Sequence, residues 1–262
     1  MDNTVHDAQR LKELQALPLD RKIQITQNRI QEWYMHYNGN VYVSFSGGKD
    51  STVLATLAKQ IFPDIPLVFA NTGLEFSSIQ KFAKESGAIQ VYPEMQFKEV
   101  ISTYGYPIIS KEVADCVYYS RNIKHNSGDT MMQKRQLLMG TCINKNTGEK
   151  SLFNKKKWLE AAQELPFPIS HLCCNIMKKK TMKKYGKETW NKPIIATLAD
   201  ESRVRKKSWI QHGCNAFDSS NPSSQPMSFW TEQDALTFIK ESNIKIADVY
   251  GDICLDDKKN LL

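Results

Sequence analysis

Long apolar runs are missing from this 262-residue chain, so it has no stretch of about 20 apolar residues that a membrane helix needs. The opening MDNTVHDAQR has no apolar core of the kind a secretory signal carries. The six cysteines (116, 142, 173, 174, 214 and 254) do not form a disulfide framework in a chain this long, and no Cys-x-x-Cys pair occurs. Together these absences predict a cytoplasmic protein with reduced thiols and no membrane partner. Internal repeats and long low-complexity linkers are absent too, and 41% hydrophobic residues suffice for a real core.

Charge is unevenly placed. The net charge is +7, yet Lys178–Lys207 alone holds eleven Lys or Arg against three Asp or Glu, and the remainder is nearly neutral. A cationic segment of this kind points to an anionic partner: a nucleotide, a polyphosphate or a nucleic acid. A solvated lysine-rich helix face explains the same composition.

Apolar spacing then sets the order of elements. A helix is expected over Asp20–Tyr37, with Ile23, Ile30, Trp33 and Tyr37 as its stripe, closed by Gly39. Alternating units follow: strand Val41–Phe45, helix Asp50–Ile61, strand Ile65–Asn71, helix Glu75–Gly87, strand Ala88–Tyr92 and helix Phe97–Tyr104. That rhythm predicts an α/β, Rossmann-like, doubly wound and mainly parallel sheet. Residues 110–165 break it and read as a helical insertion containing the loop pieces HNSGD and NKNTGEK. The sheet resumes at Pro193–Ala199, followed by a helix over Glu201–His212, a loop DSSNPSSQP, and a helix that Thr231 should cap with Asp234 in its first turn. The expected organisation is a helical extension over 1–39, an α/β domain over 40–252 and a tail over 253–262.

The most informative stretch is Ser46-Gly47-Gly48-Lys49-Asp50-Ser51, which Ser44 and Phe45 lead into from the first strand. A glycine-rich turn between strand and helix aims backbone N–H groups at one point, and the helix terminus adds partial positive charge. Ser46 and Ser51 offer hydroxyls there, and Lys49 a full charge. The ligand such a turn suits is a phosphate or pyrophosphate. Asp50 would repel it alone, so Mg²⁺ is expected as a bridge. The turn is no Walker A loop, because Val43 stands where its first glycine belongs and Asp50 follows the lysine. Adjacent glycines also break the G-x-G-x-x-G fingerprint.

SGGKDS after a strand resembles the signature of the PP-loop ATP pyrophosphatases. Within that superfamily the chain resembles the phosphoadenosine phosphosulfate (PAPS) reductase family, through NTGLEF (71–76), YGYPIISKE (104–112), HLCCNIMKKK (171–180), ADESRVRKKSWIQHGCNAFD (199–218) and PMSFWTEQDALTFI (226–239). The resemblance spans roughly 40–252. It implies ATP, or a related adenine nucleotide, as ligand, with the loop on its β,γ-pyrophosphate and cleavage at the α-phosphate. It places Asn71, Thr72 and Gly73 around the adenosine, and Ser110 and Lys111 on a phosphate or sulfate. Ser202 and Arg205, assisted by Arg203, fall on a second anionic group. Lys49, Asp50 and Arg205 are the expected catalytic residues, and adenylylation followed by sulfur transfer is the favoured reaction. A nucleic acid, a sulfur-donor protein and a second copy of the chain are candidate partners.

Adjacent Cys173 and Cys174 leave three readings open. With Cys214 they could contribute to an iron–sulfur cluster, as adjacent cysteines do in iron–sulfur members of the wider family, although a four-thiolate set is incomplete here, Cys254 being a poor fourth. With His171 they could hold zinc, though the spacing fits no standard site; or they are buried free thiols. The tail GDICLDDKKNLL lacks the Glu-Cys-Gly motif of sulfite-releasing reductases, which weighs against PAPS reduction. Two alternatives stay open beside ATP cleavage: a sulfonucleotide reductase using a partner thiol, and a non-catalytic nucleotide-binding subunit or sensor.

Overall fold

The computed structural model describes residues 6–123, 128–144, 147–256 and 261. Parts of the expected HNSGD and NKNTGEK loops, of the 1–39 extension and of the tail lie outside them. The chain divides into two compact units, 1–92 with 182–262, and 93–181.

Two helices open the first unit, α1 (Ala8–Gln15) and α2 (Leu19–His36). After them come β1 (Val41–Ser44), α3 (Lys49–Ile61), β2 (Leu67–Ala70), α4 (Ser77–Glu85) and β3 (Ile89–Val91). The second unit holds α5 (Phe97–Tyr104), α6 (Lys111–Arg121), α7 (Asp129–Met139) and α8 (Leu159–Glu164), then a π-helix over Asn175–Lys180. Its apolar residues gather in two clusters, one around Val113, Cys116, Val117 and Leu138, the other around Val100, Ile176 and Met177. The chain continues through α9 (Thr181–Thr189), β4 (Lys192–Ile195), α10 (Arg203–His212), β5 (Asn215–Ala216), β6 (Ser223–Ser224) and α11 (Glu232–Glu241).

The six strands lie in the order β3-β2-β1-β4-β6-β5. All neighbours are parallel except β5 with β6. The expected α/β class with a mainly parallel sheet and flanking helices is therefore what forms. β1 reads VYVS, buried at its first three positions, as a strand covered on both faces must be. The chain leaves β1 to one side for β2 and β3 and returns on the other as β4. The exit of β1 is thus the point where strand order reverses, where open α/β sheets leave a crevice.

Two expectations need correction. DSSNPSSQP is not wholly loop, since Ser223–Ser224 forms β6 and pairs with both β4 and β5. A two-residue strand is too short for periodicity to reveal. The second concerns α2, whose fully buried face is Lys22, Thr26, Ile30 and Trp33, with Ile23 and Tyr37 only partly buried beside it. Two polar residues occupy core positions because each finds a partner: Lys22 Nζ binds Asp234 Oδ2, and Trp230 Nε1 donates to Thr26 Oγ1 at 2.9 Å. Burial without those partners would cost several kcal/mol, on the order of 2–5.

Candidate active site at the turn after the first strand

Ser46–Gly48 joins β1 to α3, and its shape depends on both glycines. Gly47 sits at φ +72°, and a Cβ there would lie 2.9 Å from Ile79 Cγ2. A Cβ on Gly48 would lie 3.2 Å from both Ser46 Oγ and Tyr250 Oη. Gly48 caps α3 without a side-chain bond, so the first N–H groups of that helix have no intrahelical partner and point out of the turn.

The serines do something other than expected. Ser51 Oγ donates to Gly48 O (2.9 Å) and accepts from Ser46 N and Ser46 Oγ (3.2 and 3.0 Å), while Ser46 Oγ accepts from Gly48 N at 3.3 Å. Each hydroxyl proton is spent inside the loop. Ser46 and Ser51 brace the turn, which leaves the first amides of α3 and Lys49 as the groups able to donate to an anion.

Lys49 and Asp50 open α3. Burial raises the Asp50 carboxyl above its usual range, opposed by the positive charges of Lys49 and Arg205 and assisted by Glu232. Among the described residues its Oδ1 is buried with no hydrogen-bond partner. A buried hard oxygen left unpaired at the N-terminus of α3 fits a magnesium ligand, and Asp50 is the residue that would hold it. Lys49 pairs with Glu232 in the first turn of α11, and Arg205 pairs with Glu201 one turn before it. Lys49, Asp50, Arg205 and Glu232 thus form one electrostatic group within the first unit.

Other candidates are engaged locally. At the end of β2, Gly73 N donates to Asn71 Oδ1 (3.1 Å) and Thr72 Oγ1 donates to Glu75 (2.9 Å), a turn that ties up its own side chains. Ser202 caps α10, accepting from Arg205 N at 3.2 Å; Arg203 is exposed beside it. Ser110 caps α6 by accepting from Val113 N at 3.2 Å, and Lys111 is exposed at the first position of that helix, both in the second unit.

No three His, Cys, Asp or Glu side chains among the described residues gather as a metal site. Cys173 and Cys174 are half-buried in the second unit, Cys173 against the Val100 cluster; Cys214 belongs to the first unit. Burial pushes the Cys214 thiol up to about 11, with the Trp209 indole opposing the shift. His171, weighed for zinc, turns Nδ1 toward Asp115 Oδ1 at 3.3 Å, beside the rings of Tyr118 and Tyr119. Burial lowers its pKa, against the pull of Asp115.

Comparison with known proteins bears on the same turn. Residues 40–103, which contain it, match the phosphoadenosine phosphosulfate reductase domain. Through that stretch the chain is similar to the PAPS reductase family. The matched segment runs from β1 into α5 and so includes the whole glycine turn. An uncharacterized protein of Methanocaldococcus jannaschii is 33% identical over 94 residues, 34% of this chain and only 23% of that protein's length. Among solved structures, the PAPS reductase of Candida auris in a phosphate complex is similar at TM-score 0.47 and 12% identity, over 98% of each chain. The U34-tRNA thiolase NcsA of Methanococcus maripaludis, with its 4Fe–4S cluster, is similar at TM-score 0.39 and 14% identity, over 87% of this chain and 66% of that one. At those scores neither likeness bears on what this chain does.

Sequence reasoning missed Glu201, Glu232 and Tyr250. Glu232 carried a signal, since an acid after a capping threonine is noticeable, but helix-dipole complementarity accounts for it fully. Only the fold sets it opposite Lys49.

Proposed function

We propose that the PAPS reductase-family segment binds the β,γ-pyrophosphate of ATP in the Ser46–Ser51 turn, and that the chain cleaves ATP at the α-phosphate. An acceptor oxygen attacks the α-phosphorus, the bond to the bridging oxygen breaks, and pyrophosphate departs with the electron pair. The observation that carries this reading is the cradle itself: Gly47 at positive φ where a Cβ would clash, Gly48 in close contact with its walls, open first-turn amides, Lys49, and the unpaired Asp50 Oδ1. Charge building on the departing pyrophosphate meets preorganised N–H groups and Lys49 Nζ, which is where electrostatic catalysis acts. Magnesium held at Asp50 would supply further neutralisation of the phosphate oxygens. Arg205 neutralises a second anionic group. Adenylylation makes the acceptor oxygen a good leaving group, ready for displacement by sulfur or nitrogen.

The exposed lysines of α9 (Lys183, Lys184 and Lys187) favour an anionic acceptor such as a nucleic acid. Binding that weakens steeply with added salt supports that choice.

Incubation with α-labelled ATP, Mg²⁺ and candidate acceptors should yield AMP or an adenylylated product together with pyrophosphate. Release of ADP contradicts the reading. Tight ATP binding without turnover, with partners supplied, supports a nucleotide-binding subunit instead. Reduction of PAPS by a partner thiol draws its support from the family description; thioredoxin-dependent sulfite release supports it.

A further inference from the structure

Both cations assigned to the anion site are already covered by carboxylates. Lys49 is paired with Glu232, and Arg205 with Glu201. The two acids come from different elements, Glu232 from the first turn of α11 and Glu201 from the short 3₁₀ turn before α10. Neither is needed for its own helix. Thr231 caps α11 through Asp234, and Ser202 caps α10. Neither is buried as an obligatory partner either: the Glu232 side chain is 64% exposed and that of Glu201 35%, against 24% for Lys49. Each can turn into water at little cost.

We propose that Glu232 and Glu201 are internal stand-ins for the ligand's anionic groups, neutralising Lys49 and Arg205 until a polyphosphate displaces them. This rests on the reading of the turn as a pyrophosphate cradle and specifies what that cradle selects.

The selection follows from competition at each cation. A ligand with one weakly charged group gains little, because it exchanges one ion pair for another in water. A diphosphate arm brings more charge and several acceptor oxygens, and it alone can also use the first-turn amides of α3 that Glu232 does not reach from α11. A ligand with a second anionic group displaces Glu201 as well. The two carboxylates therefore act as a threshold against monophosphates and small inorganic anions, while costing a polyphosphate only a modest part of its affinity. Exposed pairs of this kind are weak, so removing either acid should change affinity by a factor of about two to five.

Isothermal titration of the full chain with inorganic pyrophosphate, orthophosphate and ATP tests this. Glu232→Gln should tighten pyrophosphate and orthophosphate alike, about two- to fivefold, so that the weaker orthophosphate binding rises into the measurable range. Glu201→Gln should act on ATP more than on pyrophosphate. Glu241→Gln, at the far end of α11 and exposed, measures the general field of one lost charge and should change nothing. Equal tightening by Glu241→Gln, or unchanged or weaker binding in both site variants while the wild type binds, overturns the stand-in role and leaves the cradle standing. Absence of binding to all three ligands in every variant and in the wild type instead removes the cradle reading, and the stand-in role with it. Thermal melting of each variant establishes that folding is intact.

Discussion

Lys22 Nζ lies 2.6 Å from Asp234 Oδ2, and the lysine side chain is only 2% exposed. The same carboxylate oxygen accepts from Thr231 N and Thr231 Oγ1 at 2.7 and 2.8 Å. One acid thus caps α11 and anchors α2 to its N-terminus, which is the end that carries Glu232 opposite Lys49.

That geometry predicts an asymmetric response to mutation. Asp234→Ala strands a buried ammonium and removes half the capping box, and should cost about 3–5 kcal/mol. Lys22→Met leaves Asp234 with its two Thr231 donors and should cost clearly less. Urea midpoints of the two variants check this, and equal losses contradict it.

Gly47→Ala should destabilise the chain by about 1–3 kcal/mol, because φ +72° disfavours any Cβ and Ile79 occupies the space. Gly47→Ala should also weaken pyrophosphate binding, and adding Ile79→Ala, which relieves the clash but leaves the dihedral strain, should restore that affinity only in part. Full recovery by titration with pyrophosphate contradicts the dihedral argument.

Asp50 is predicted to oppose folding when ionised. Burial raises its folded-state pKa, so the folded chain holds this proton more tightly than the unfolded chain does. Its contribution to stability is present at low pH and is lost as pH rises from the ordinary carboxylate range through the raised value. Asp50→Asn should therefore melt above the wild type near neutrality, with the gap closing on acidification, and should bind Mg²⁺ with nucleotide more weakly. A gap independent of pH contradicts the assignment.

Thiol labelling should separate the cysteines. Cys254 is exposed, whereas burial raises both Cys116 and Cys214, the latter to about 11. Near pH 7 iodoacetamide should modify Cys254 within minutes and reach Cys116 and Cys214 only after denaturation, as peptide mass analysis would show. Rapid labelling of Cys214 in the folded chain contradicts its raised, protonated state.

The glycine turn after β1 and its neighbouring strands were legible because local rules write them. Two adjacent glycines, a lysine and an alternating strand need no distant partner to be recognised, and helix Phe97–Tyr104 agrees with its apolar spacing end to end. Thr231 and Asp234 announced a helix start in the same way. The bonds that Ser46 and Ser51 make within the turn were not legible, since they depend on how the turn folds back on itself. β6 escaped notice because two residues carry no period.

Sequence alone determined that a strand, a glycine turn with Lys49 and Asp50, and a helix follow one another, because backbone dihedrals and apolar spacing are properties of neighbours. Tertiary structure alone decided that Glu232 meets Lys49 and that Lys22 can sit buried against Asp234. Those pairings join residues 183 and 212 positions apart, and a charge carries no mark in the sequence of the partner that burial will require of it.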